Sequence, residues 1–187
     1  MSIVEVQVVD ETGRVAADRA EWVAAHARKA VIALGVPGEV RVKIVDDAAM
    51  SAAHLEFSEV EGTTDVLTFD LTDPEDPPPD PPSLDPRSPN FVRSLYALDT
   101  DILICLDEGL RHSAPAGYPV ERELLLYVVH GVLHCLGMDD HDEADAAAMH
   151  RMEDAVLEVI GVGAVYGARG GATPGGAGGG PATGTGD

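Results

Sequence analysis

Branched apolar residues recur at every second position in IVEVQVVD (residues 3–10) and EVRVKIVDD (39–47). That two-residue period marks strands with one buried face. TDVLTFDL (64–71) and DILICLD (101–107) carry the same signature. Between the first two strands, residues 17–34 have helical composition, and GVPG (35–38) supplies a turn. AAMSAAHLEF (48–57) and Glu108–Ser113 read as short helices, and VERELLLYVVHGVLHCLG (120–137) as a long, apolar and therefore buried one. A last helix from Glu143 to Ile160 offers Ala146, Met149, Met152, Val156 and Val159 as its inward face. The pattern predicts a single α+β domain, about four strands packed with four to five helices, with residues 120–137 as the central helix.

Two segments break the pattern. Residues 74–89 hold eight prolines and cannot be a helix or a central strand, so residues 72–98 are expected to form an exposed, extended insertion. The Gly/Ala-rich stretch 166–187 has nothing to bury and is expected to be a disordered tail. That leaves one domain over 1–165, a size consistent with a single core. The start of the chain lacks a signal-peptide pattern, and the longest apolar run is too short to span a bilayer. Cys105 and Cys135 provide no disulfide framework, and free buried thiols fit a cytoplasmic protein.

Charge complicates the choice of partner. The net charge is −21, with 12 Lys and Arg against 33 Asp and Glu, whereas nucleic-acid binders usually present a basic footprint. Several acidic residues crowd one motif: HGVLHCLGMDDH, residues 130–141. His130 and His134 stand four apart, which on a helix puts both imidazoles on one face. Gly137 can take a left-handed conformation, end the helix and turn the chain back, so the residues beyond it could supply a third ligand. Three protein ligands and an open position make a catalytic zinc site, and such an ion lowers the pKa of a bound water to about 7. The common zinc-protease pattern has Glu directly after the first histidine; here that residue is Gly131.

The motif resembles HGxLHLxGYDH, the signature of the YbeY family. TTDVLTFD (63–70) resembles its PTDVLSFP element, and TDILICLDEGL (100–110) its GDIVIC strand and following helix. Order and separations also match over roughly residues 1–165, apart from the proline-rich insertion. The resemblance implies a metal-dependent, single-strand-specific endoribonuclease of ribosomal RNA maturation, with one Zn2+ per chain and the small ribosomal subunit as its setting. Carried over by position, the ligands are His130, His134 and Asp140, since Asp140 stands where the family has its third histidine. His141 is the alternative third ligand, or a proton donor beside the metal. The Gly137-to-Met149 spacing looks like the family's and favours Asp140.

The other site residues follow with less specificity. Asp139 is a candidate base, a cap of the last helix, or a holder of a ligand imidazole. Thr64 and Asp65 are candidates for the substrate groove. The family's Tyr-Arg pair is replaced by Phe57 and Ser58, which removes a cation; Arg111 or His112 could compensate. His54 reads as a half-exposed helix residue, and Cys135 as a core residue facing away from the ligands. RNA is the expected partner, with neither DNA nor membrane. A non-catalytic, metal-stabilised ribosome-assembly factor is the competing reading. A metalloprotease-like hydrolase ranks lower because the HExxH glutamate is missing.

Overall fold

The computed structural model describes residues 3–73, 85–87 and 97–166. The expected 72–98 insertion and 166–187 tail fall largely outside them. The elements are β1 (Val4–Asp10), α1 (Ala17–Ala33), β2 (Gly38–Val45), α2 (Asp47–Ser58), β3 (Val66–Asp70), β4 (Leu98–Cys105), α3 (Leu106–Ala116), α4 (Val120–Cys135) and α5 (Glu143–Val159). The strands form one mixed sheet in the order β1-β2-β4-β3. β1 runs parallel to β2 and β2 to β4, while β3 pairs antiparallel with β4 at the sheet edge. This is the α+β architecture that the alternating strand pattern predicts.

Strand alternation decides what each face of the sheet carries. Val40, Val42 and Ile44 of β2 and Leu98, Ile102 and Ile104 of β4 point into the main core with α1 and α4. The opposite positions, Val45, Leu67, Leu103 and Cys105, meet Met50 of α2 in a smaller cluster on the other face. α4 is buried along most of its length, consistent with its nearly unbroken apolar sequence. Gly131 brings it close to the sheet: a Cβ there would lie 2.7 Å from Thr68 Oγ1 of β3 and 3.0 Å from Ile102 Cδ1 of β4.

Several expected boundaries move for identifiable reasons. The strand expected over 39–47 stops at Val45 because Asp46 caps α2, its side chain accepting from Ala49 N at 2.9 Å. The strand expected over 64–71 is Val66–Asp70, leaving Thr64 and Asp65 in the approach to it. β4 starts at Leu98 rather than Asp101 and ends at Cys105, and α3 begins directly at Leu106 and runs past Ser113 to Ala116. On α5, Val159 is 49% exposed and is not part of the inward face.

Two measurements test this packing. Gly38 has φ +134°, and a Cβ on it would sit 2.1 Å from the backbone oxygen of Leu98. Gly38→Ala should therefore lower the unfolding free energy by about 2 kcal/mol or more in urea titration, with a smaller loss for Gly131→Ala because Thr68 and Ile102 are side chains that can shift. Both thiols are buried, and burial pushes the Cys135 thiol up to about 11 and the Cys105 thiol above its usual value. Neither should react with a thiol reagent at neutral pH until the chain unfolds.

Candidate metal centre and cleft

α4 ends in a paired turn that explains where the acidic residues go. Gly137 takes φ 85°, Met138 N donates to Leu133 O at 3.0 Å, and Gly137 N donates to His134 O at 3.0 Å. These are the two bonds of a Schellman motif, which reverses the chain after the helix. The reversal carries Asp140 back over the histidine face. Asp140 Oδ2 lies 3.7 Å from His130 Nε2, and Asp140 Oδ1 lies 3.7 Å from His134 Nε2.

The two imidazoles are oriented from behind. His130 Nδ1 donates to Glu153 Oε1 at 2.8 Å, and Glu153 on α5 is fully buried. His134 Nδ1 donates to the Met138 carbonyl at 3.0 Å. A carbonyl can only accept, so the His134 hydrogen sits on Nδ1; the Glu153 carboxylate fixes His130 the same way. Both Nε2 lone pairs then face each other across 2.9 Å, with the Asp140 carboxylate beside them. Two lone pairs and an anion converging on one point call for a cation, either a shared proton or a metal. Burial pulls the His130 pKa down, but the hydrogen bond and charge of Glu153 outweigh it and hold it above the ordinary value. His134 is lowered, by burial first and then by charge on His130.

His130, His134 and Asp140 thus form a group able to hold a metal ion, with ligand atoms all within 4.8 Å of one another. Asp139, Asp140 and His141 make a second, fully exposed group that meets the same distance. His141 Nδ1 is engaged by Asp139 Oδ1, and that carboxylate also accepts from Asp140 N at 2.8 Å. The Asp140 N–H and then His141 hold the Asp139 pKa below the usual carboxylate value. Asp139 does not cap the last helix: Asp142 does, accepting from Ala144 N and Asp145 N. Asp139 instead orients His141.

A cavity of about 580 Å³ opens in front of this group. Thr64 and Asp65, the cleft face of β3, Ser58 and His141 line it together with the ligand set. Asp65 is tied down locally, its Oδ1 accepting from Val66 N at 2.9 Å and from Thr64 Oγ1 at 3.2 Å. Arg111 and His112 do not line the cavity. Arg111 clasps Asp47 through both terminal guanidinium nitrogens and also pairs with Glu108, while His112 Nδ1 meets Tyr127 Oη at 2.9 Å. His54 bonds the Gly62 carbonyl, and it too lies outside the lining. Cys135 is a core residue whose thiol donates to Thr100 Oγ1, but it also borders the cavity rather than turning fully away. Among the described lining residues there is no Lys or Arg.

Glu153 is the site residue that the sequence pattern did not single out. It lies four residues after Met149 and three before Val156, in the middle of an apolar stripe, and that misplaced charge was its signal.

Comparison with known proteins agrees with the three sequence signatures. The family model described as Endoribonuclease YbeY matches residues 5–161. An Endoribonuclease YbeY of Moorella thermoacetica is 35% identical over 135 residues, 71% of this chain and 81% of that one. One from Desulfitobacterium hafniense is 34% identical over 124 residues, 66% of this chain and 73% of that one. A solution structure of a Thermotoga maritima protein superposes with a TM-score of 0.48 at 18% identity, covering 84% of this chain and 91% of that one. With a family model spanning all nine elements from β1 to α5 and relatives above 30% identity, this chain belongs to the YbeY endoribonuclease family.

Proposed function

We propose that this protein is a Zn2+-dependent, single-strand-specific endoribonuclease that acts in the cytoplasm on ribosomal RNA, during maturation of the small subunit. The observation that carries the reading is the convergence of His130 Nε2, His134 Nε2 and Asp140 on one point in an open cleft. Two imidazoles and a carboxylate with free space in front match a three-ligand catalytic zinc site. Glu153 behind His130 is the carboxylate–histidine support such sites use. The name of the family supports RNA as substrate.

A bound divalent ion would polarise a phosphoryl oxygen and make a coordinated water more acidic. The chain's own residues supply the rest. Glu153 and the Met138 carbonyl keep both Nδ1 atoms protonated and both Nε2 atoms available as ligands. His141, held by Asp139 through Nδ1, lines the cleft and leaves its other ring nitrogen to serve as the proton carrier. Thr64 and Asp65 shape the groove wall, and a ribose 2′-hydroxyl, absent from DNA, offers an internal nucleophile. Gly131 accounts for the missing glutamate beside His130: a side chain there would run into Thr68 and Ile102. That crowding weighs against the protease-like reading. The absence of Lys and Arg from the described lining favours, as a second reading, a metal-stabilised assembly factor that does not cleave.

Cleavage of a single-stranded oligoribonucleotide should be lost on chelation, restored by Zn2+, and lost in His134→Ala. Cleavage that survives both treatments would falsify the metal mechanism. A folded protein that binds Zn2+ and never cleaves would select the second reading. Asp140→Ala should lose bound metal, measured as ion per chain, while His141→Ala keeps it and loses mainly kcat; the reverse pattern would make His141 the third ligand. Glu153→Gln should weaken metal affinity by about 10–100-fold while circular dichroism shows the fold intact.

A further inference from the structure

The outer face of the sheet carries a second cavity, of about 410 Å³, away from the metal ligands. Phe57, Phe69 and Leu71 form its apolar wall, and Arg41 and Lys43 its rim. The two phenylalanine rings meet edge to face with centroids 4.8 Å apart. Phe57 is 59% exposed, and Leu71 52%. An aromatic ring left largely in water beside a groove is a binding feature rather than a core feature.

The groove and the metal cleft share two elements. β3 lines the cleft with Val66, Leu67, Thr68 and Asp70, and the groove with Phe69, which faces the opposite way from its neighbours Thr68 and Asp70. At the end of α2, Ser58 lines the cleft and Phe57 the groove, one residue and about 3.8 Å of backbone apart. β3 is an edge strand among the described residues, so the passage from one cavity to the other crosses a single strand.

Charge separates the two parts of a nucleotide. Arg41 is already paired with Glu39, Asp99 and Asp101, and Lys43 with Glu11. A phosphate would find these cations neutralised and four carboxylates around it. An uncharged base, offering a flat π-face, meets no such penalty and stacks on an aromatic ring at about 1–3 kcal/mol. We propose that the Phe57–Phe69 groove is a base-stacking subsite for an unpaired nucleotide flanking the linkage held in the metal cleft, an inference that rests on the endoribonuclease reading. Bases in a duplex are not free to enter such a groove, so the subsite selects single strands. It also gives an acidic protein a hold on RNA that does not depend on phosphate contacts.

The test uses the full chain with Phe57→Ala, Phe57→Leu and Phe57→Trp. With a single-stranded oligoribonucleotide, Phe57→Ala and Phe57→Leu should raise KM about tenfold, within the range of one lost stack, with kcat unchanged. Phe57→Trp should restore KM, and its fluorescence should be quenched by the same oligonucleotide in the presence of chelator. The Leu variant separates stacking from simple hydrophobicity: if it keeps the parent KM, the groove holds an aliphatic group, such as a peptide side chain, and the proposal fails. An unchanged KM in Phe57→Ala, or no quenching in Phe57→Trp, also overturns it. Quenching without cleavage in any variant or in the parent would uphold the stacking subsite and overturn the nuclease reading instead.

Discussion

The close approach of α4 to β3 and β4 at Gly131 sets the geometry on which the rest of the site depends. With no side chain at that position, the helix lies against Thr68 and Ile102. His130, one residue earlier, then borders the same cavity as β3 instead of being held away from it. One helical turn later His134 points the same way, and the Schellman turn after it needs no further element to bring Asp140 over both. α5 closes the arrangement from behind by burying Glu153 against His130. The missing protease glutamate and the tight packing are therefore one fact: position 131 is a packing position.

The centre is asymmetric in how it is supported. His130 has a buried carboxylate behind it, whereas His134 has a neutral carbonyl. Glu153 holds the His130 pKa above its ordinary value, whereas burial and then the charge on His130 lower that of His134.

Much of this was legible because the relevant signals are local. The i,i+4 histidines and the following glycine fix a helix face and a turn without reference to the rest of the fold. Strand alternation likewise assigns Val40, Val42 and Ile44 to one face. What escaped sequence reading required knowledge of packing partners. Asp46 and Asp142 are caps, and either could have been read as the end of the preceding segment. Arg111 looked free to serve the cleft, but α2 places Asp47 within reach and binds it. Glu153 becomes interpretable only when α5 is laid against α4. Phe57 and Ser58, consecutive in sequence, address different cavities because α2 ends at the edge strand.

That edge strand has a further consequence. β3 contributes five residues, pairs only with β4 among the described strands, and is joined to it by a long connection. Edge strands, hydrogen-bonded along one side only, are where local opening without global unfolding is expected. The walls supplied by β3 to the cleft and to the aromatic groove would vanish together. One strand thus builds part of both cavities, and a change in its placement would reach both at once.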